Sequence, residues 1–317
     1  VRPEGIRVVN LECRGDLDLA FAWRLRELLK RERPDLVHCH SRRGADVWGG
    51  LAASLAGSPA IVSRRVDHAE SGLLARWRYR GYERIVAISS NVAAVLRESG
   101  VDPERIAVIR SAVDFERFQM PADRARLERE FGIPDNALAI VAAGQLIPRK
   151  GYRYLLEAMP ALAAQMPRVH LVIFGHGKLE QDLRAQASRL DLGQRVRFAG
   201  FRNDLDEYLG AFDLLVHPAL REGLGVIMLK AAAAGVPVIA FDVAGAREAV
   251  VVGETGLLVT PKDASALTDA MLRLAGSATL RKGYGAAGRK RMRREFSIDA
   301  MVNRHIRLYD SVLHGAD

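Results

Sequence analysis

Only two cysteines, Cys13 and Cys39, occur in the 317-residue chain. Two thiols cannot build a disulfide framework, and their scarcity suits a reducing cytoplasm. No apolar run approaches the roughly 18 residues that a membrane-spanning helix needs. No signal segment is legible, and Val1 in place of Met reads as a processed or trimmed start. The chain has no Ser-His-Asp order around a nucleophile elbow, no GxxxxGK[ST] phosphate loop and no paired-cysteine metal spacing. Solenoid-length repeats and low-complexity segments are missing too.

What is present is a globular composition, 49% hydrophobic and 27% charged, long enough for two domains. The net charge of +9 points to an acidic partner: nucleic acid, an anionic membrane surface or a phosphorylated substrate. The excess is spread over both halves without a basic tail, which argues against nucleic acid.

Short apolar runs alternate with helical patterns. Strands are expected at 6–11, 35–40, 60–66, 84–89 and 106–113, with helices at 19–33 and 90–100, the latter capped by Ser90 or Asn91 and ended by Gly100. Further strands are expected at 137–144, 169–175, 196–200, 213–218, 236–243 and 256–259. Continuous apolar strands alternating with helices mean parallel sheets covered on both faces. The alternation breaks at the charged stretch 114–137, which reads as the boundary between two doubly wound domains. A large ligand would bind between them, at the carboxyl ends of the strands.

Several segments could carry chemistry. In GQLIPRKGYRYLLEAM, Arg149 and Lys150 stand just before a helix start, where cations and unpaired amides together suit phosphate; the other reading is a solvated basic turn. In EGLGV, glycines permit close backbone approach, and Glu222 either accepts hydrogen bonds from hydroxyls or complements the helix dipole. HCH puts His38 and His40 on one face of a strand, but no further cluster completes a metal site; His40, at the carboxyl end, is the candidate cleft residue. Arg64, Arg65, Asp67 and His68 follow a strand and form either an anion or acceptor site or a surface loop with local ion pairs. RWRYRGYER (76–84) interleaves aromatics with arginines, as surfaces that meet lipid headgroups or nucleic acid do, and RKRMRR (289–294) is a second basic run; the other reading of each is a solvated face.

These pieces, in this order, resemble the retaining GT-B glycosyltransferases that use nucleotide-sugar donors, the family 4-like, group 1 enzymes. DLVHCH…AIVSRRVD and RIVAISSNVAAVLRESGVDPERIAVIRSAVDFERF resemble an acceptor-side domain. GQLIPRKGYRYLLEAM, VIFGHGKLEQDL, VRFAGF, DLLVHPALREGLGVIMLKAAAAGVPVIA, AGAREAV and GETGLLV resemble the donor-side domain, and FSIDAMVNRHIRLYDSVL the closing helix. The resemblance implies an α/β, GT-B fold of two Rossmann-like domains: residues 1–119 on the acceptor side, 120–296 for the nucleotide-sugar, and 297–317 packing back on the first domain. It implies that Lys150 holds the donor diphosphate, that Glu222 touches the transferred sugar, and that the amides of Gly223, Leu224, Gly225 and Val226 meet the diphosphate. Gly144, Gln145 and Arg149 would belong to the same donor site, the loop from Gly200 to Arg202 would contact the base, and Lys230 would reach the nucleotide side of the cleft, where it either pairs with a nearby carboxylate or meets donor phosphate. Glu222, Lys150 and His40 are then the catalytic candidates, with Arg64, Arg65 and Asp67 on the acceptor side. No metal and no cofactor are implied, since basic side chains and helix amides neutralise the leaving diphosphate.

Four departures stand out. Gln145 replaces the family's usual arginine. Lys230, eight positions after Glu222, replaces a second glutamate that normally accepts hydrogen bonds from the ribose, and an ammonium accepts none. Ser63, Arg64 and Arg65 replace a Thr-x-His. Nothing before residue 35 resembles the family's opening glycine-rich loop, so the first domain reads as amino-terminally incomplete. The resulting expectation is a sugar transferase acting on a glycolipid or glycan acceptor in cell-envelope synthesis, cytoplasmic and peripheral at the inner face of the plasma membrane. The alternatives are a catalytically weakened nucleotide-binding protein and a nucleotide-sugar epimerase.

Overall fold

The structure, a computed structural model, describes residues 5–14, 18–40, 44–118 and 122–315. The chain forms two compact units: residues 1–110 with 303–317, and residues 111–302. The expected boundary at 119/120 lies outside the described residues. Val113 donates its amide to the Phe296 carbonyl at 2.9 Å, which ties the start of the second unit to its end.

The first unit runs α1 (Leu19–Glu32), β1 (Val37–His40), α2 (Ala45–Ala56), β2 (Ala60–Arg64), α3 (Gly72–Tyr79), β3 (Arg84–Ala87), α4 (Ser90–Glu98) and β4 (Ile106–Val108). Among the described residues its sheet has four parallel strands in the order β1-β2-β3-β4. All five residues of β2 are buried, as expected for a parallel strand covered on both faces. Two sequence expectations need correction. Residues 6–11 form no strand; Ile6, Val8 and Val9 are exposed, and a strand exists only where a neighbour takes up its backbone groups. The cap of α4 is Ser89, whose hydroxyl accepts from the Val92 amide at 3.0 Å, rather than Ser90 or Asn91.

The second unit runs α5 (Arg124–Phe131), β5 (Leu138–Ala143), α6 (Tyr152–Gln165), β6 (Val169–Phe174), α7 (Glu180–Arg189), β7 (Val196–Gly200), α8 (Leu205–Tyr208), β8 (Leu214–His217), α9 (Val226–Ala233), β9 (Val238–Phe241), α10 (Ala244–Ala249), β10 (Gly256–Val259), α11 (Ala264–Ala275) and α12 (Ala278–Glu295). The charged stretch read as a boundary supplies α5, which buries Leu127 and Phe131. A final helix, α13 (Ile298–His314), continues from this unit, and its residues from Asn303 onward group with the first.

Among the described residues the second sheet has six parallel strands in the order β10-β9-β8-β5-β6-β7. The strand order reverses between β5 and β8, which pair directly through Ile140↔Leu214 and Val141↔Leu215. In such sheets ligands bind outside the carboxyl ends of the strands at the reversal, because the loops from the two strands diverge there and leave a crevice. The core beneath it is aliphatic: Ile140, Leu155, Leu171, Ile173, Leu214 and Ile239 are fully buried. Each such side chain contributes about 1.5–3 kcal/mol through burial.

Candidate active site at the strand-order reversal

The loops that leave β5 and β8 carry the two charged groups singled out in the sequence. After β5, Gly144 adopts φ +147° and the chain turns through Pro148–Lys150 to Gly151, at φ +67°. A Cβ at Gly151 would lie 1.9 Å from the Pro218 carbonyl oxygen, so the β5 and β8 loops touch backbone to backbone only because this residue is glycine. After β8 the chain passes Glu222 and reaches Gly225, whose left-handed φ of +73° starts α9.

These loops bring Lys150 and Glu222 together. The Lys150 Nζ donates to Glu222 Oε2 at 2.5 Å, with both side chains largely buried. His217, the last residue of β8, places Nε2 at 2.9 Å from the same oxygen. The sequence reading passed over His217, although its position at a strand's carboxyl end beside the reversal was a usable signal. Burial keeps its imidazole neutral, so Nε2–H donates to the carboxylate. Burial alone would raise the Glu222 carboxyl, but the His217 hydrogen bond and the Lys150 ammonium outweigh it and hold the group well below the usual carboxylate range. Glu222 is therefore an ionised acceptor whose Oε2 is engaged twice, while Oε1 meets its neighbour Gly223's amide at 3.2 Å.

Helices α6 and α9 both start at this end of the sheet, and neither has a side-chain cap. Their first-turn amides add positive potential beside Lys150. Gly223, Leu224 and Gly225 are buried, while Val226 is exposed. Gly245, the second residue of α10, packs so tightly beneath that a Cβ there would lie 2.2 Å from the Glu222 carbonyl oxygen.

A cavity of about 400 Å³ adjoins this cluster, lined by Gly144, Gln145, Arg202, Val226 and Lys230 together with Gly175, His176 and Phe201. Gly200 ends β7 at φ +69°, directly before Phe201. Phe201, inside the 200–202 loop expected at the base, is 65% exposed, with the His176 ring edge-on at 5.6 Å, giving an aromatic rim of which the sequence reading did not single out His176. Arg202 is held firmly, by Asp204 (2.7 Å), Glu130 (2.8 Å) and the Tyr208 hydroxyl (2.7 Å). Lys230 pairs with both carboxylate oxygens of Asp206 at 2.8 Å. Arg149 is exposed and reaches the Arg221 carbonyl at 3.5 Å.

The remaining candidates belong to the first unit. His40 is exposed at the end of β1, its ring 3.7 Å from that of His38. His38 bonds Tyr309 (2.7 Å) and Ser63 (2.9 Å); burial, then His40 and His305, lower its pKa to about 3. Arg64 is a buried structural cation: it binds Glu70 at 2.6 Å, the Tyr79 hydroxyl, and the carbonyls of Val66 and His68. Its donors are taken up inside the fold, which leaves exposed Arg65 and half-buried Asp67 as the accessible part of that cluster. Among the described residues, no three His, Cys, Asp or Glu side chains converge as a metal site.

The profile of the family described as Glycosyl transferases group 1 matches residues 123–291, and that of Glycosyltransferase Family 4 matches residues 1–117. Over 205 residues the chain is 36% identical to the GDP-mannose-dependent monoacylated alpha-(1-6)-phosphatidylinositol monomannoside mannosyltransferase of Corynebacterium glutamicum, covering 61% of this chain and 53% of that protein. It is 27% identical to the Escherichia coli UDP-Gal:alpha-D-GlcNAc-diphosphoundecaprenol alpha-1,3-galactosyltransferase, covering 88% of this chain and 79% of that one. Anabaena HepE, solved in complex with UDP, superimposes with a TM-score of 0.84 at 22% identity, covering 92% of this chain and 82% of that one. That likeness shows the GT-B fold. With its group 1 profile spanning more than half its length, the chain belongs to the glycosyl transferases group 1 family.

Proposed function

We propose that the protein transfers a sugar from a nucleotide-sugar donor to a lipid-linked or polysaccharide acceptor, with retention of anomeric configuration and without a metal. The observation that carries this reading is the Lys150–Glu222–His217 cluster at the strand-order reversal, beside two helix starts without side-chain caps. Lys150, Arg149 and the first amides of α9 neutralise the leaving diphosphate. Glu222, fixed through Oε2, offers Oε1 to hydroxyls of the transferred sugar. Phe201 and His176 form the rim on which the base stacks. Attack on the donor's leaving-group face lets the departing phosphate oxygen accept the acceptor's proton, so no side-chain base is required for that proton. The acceptor class rests on relatives whose names specify lipid-linked substrates. We further propose that it works on such acceptors at the cytoplasmic face of a membrane; among the described residues no helix is long and apolar enough to cross one.

The test is a thermal-shift panel of UDP-, GDP-, ADP- and CMP-sugars, followed by product analysis on lipid-linked acceptors. A shift with one donor and an α-linked product from an α-linked donor is expected. No shift with any donor at millimolar concentration would sink the donor site. The Lys230 ammonium in the nucleotide cavity motivates a second reading, a nucleotide-binding protein without transfer. It would give a shift with no product on any acceptor.

A further inference from the structure

The basic run RWRYRGYER divides on folding. Arg78 turns inward, bonding Glu70 at 3.0 Å and Asp46 at 2.9 Å, and Ala75 and Tyr79 are buried beside it. The opposite face of α3 carries Leu73, Arg76, Trp77 and Arg80, at the i, i+3, i+4, i+7 spacing of one helical stripe, and all four are exposed. Leu73 is 85% exposed and Leu74 beside it 43%. A soluble surface gains nothing from two leucines and a tryptophan left in water on one short helix.

The apolar surface continues onto neighbouring helices of the same unit. Trp77 is anchored edge-on against the buried Trp48 of α2, with ring centroids 6.4 Å apart, and Arg80 sits 5.8 Å from the Trp77 ring. A groove of about 310 Å³ between α2 and α3 is lined by Val47, Leu51, Ser54, Trp77, Arg78 and Arg80. Beyond it, exposed Leu55 closes α2, where Arg26 of α1 reaches its carbonyl at 3.4 Å and stacks over the exposed Trp23.

We propose that this face, centred on Leu73, Leu74, Trp77, Arg76 and Arg80, docks on an anionic lipid bilayer. Leucines enter the acyl boundary, Trp77 and Trp23 sit at headgroup depth, and Arg76 and Arg80 meet lipid phosphates. Charge complementarity selects this occupant: the outward charges of the α3 stripe are both arginines, in a chain of net charge +9. The inference deepens the membrane-face part of the proposed function by naming the surface, and vesicle binding tests it without donor or transfer.

The experiment is co-sedimentation of the full chain with phosphatidylcholine vesicles, with and without 30% phosphatidylglycerol, at low and high salt. Binding to the anionic vesicles, weakened by salt, is expected. Arg76→Glu/Arg80→Glu should lower partitioning by at least about tenfold, since each basic side chain near such a surface is worth about fivefold and two are lost. Leu73→Ser/Trp77→Ser should lower it comparably while leaving the Arg pair intact. Both variants change exposed positions, so circular dichroism and the nucleotide-induced thermal shift should match the parent. Wild-type binding in either variant overturns the proposal, as does equal binding to neutral vesicles. A dimer of the parent that the Leu73→Ser/Trp77→Ser variant converts to monomer, without vesicle binding, assigns the face to self-association and also overturns it. Loss of the nucleotide shift with vesicle binding intact would count against the donor site alone.

Discussion

Lys230 Nζ lies 2.8 Å from both carboxylate oxygens of Asp206, at the edge of the cavity that also holds Arg202 and Phe201. Family resemblance places a ribose-binding glutamate at position 230. The tertiary structure answers the lysine there with a carboxylate from α8, and the pair takes up both Asp206 oxygens.

Replacing Lys230 with Glu sets two carboxylates against each other. The pair is partly exposed, so the expected loss is about 1 kcal/mol, read as a fall in Tm of roughly 2–4 °C. Asp206→Asn in the same chain should restore most of it. If the ribose lacks an acceptor at this corner, the double variant binds nucleoside diphosphate about tenfold tighter or more, the worth of one hydrogen bond to a charged group. Calorimetric titration checks this, and unchanged affinity would show that the ribose is read elsewhere.

Glu222 and Lys150 touch different parts of the proposed donor, so their variants should separate. Glu222→Ala should lower transfer by about 100-fold or more while nucleoside diphosphate alone still binds, because Lys150 is released from its 2.5 Å pair. Lys150→Ala should weaken nucleoside diphosphate by about 10- to 100-fold, the scale of a charge-assisted contact. Equal losses of diphosphate binding in both variants would contradict the division of labour.

Gly245 packs against the backbone of Glu222, and alanine there would place its Cβ 2.2 Å from the Glu222 carbonyl oxygen. The loop must shift, and a displacement near 1 Å at a positioned group costs on the order of 100-fold in rate. Gly245→Ala should therefore lower kcat far more than it raises the Kd for nucleotide. Steady-state kinetics with a binding isotherm would show it.

Metal independence is tested directly. Transfer assayed after dialysis against EDTA should keep its rate, because Lys150, Arg149 and the α9 amides are proposed to carry the charge. Loss of activity, restored by a divalent ion, would overturn that part of the mechanism.

The His38 imidazole, packed among His40, His305, Tyr309 and Ser63, has its pKa lowered to about 3, whereas the unfolded side chain titrates near 6.5. Between those values the unfolded state binds more protons, so the group's contribution to stability is present above about 6.5 and is lost as pH falls toward 3. Tm measured from pH 7 to 4 should fall, and His38→Gln should flatten that part of the slope.

The sequence alone was enough for the alternation of apolar strands and helices, because parallel strands buried on both faces write continuous apolar runs into the local sequence. It also marked Lys150 and Glu222, since glycines beside a charged residue at a strand's end are local signals. Which charge meets which was decided by tertiary structure. The β5–β8 adjacency brings Lys150 and His217 onto one oxygen of Glu222 across 72 residues of chain in one case and five in the other. Packing of α3 buries Arg78 and leaves Arg76 and Arg80 outside, and the turn after β2 buries Arg64 while Arg65 stays in solvent. Local patterning sets the period of an element, but the partner of a charged side chain depends on strand order and helix rotation, which are fixed only when the sheet closes around its core.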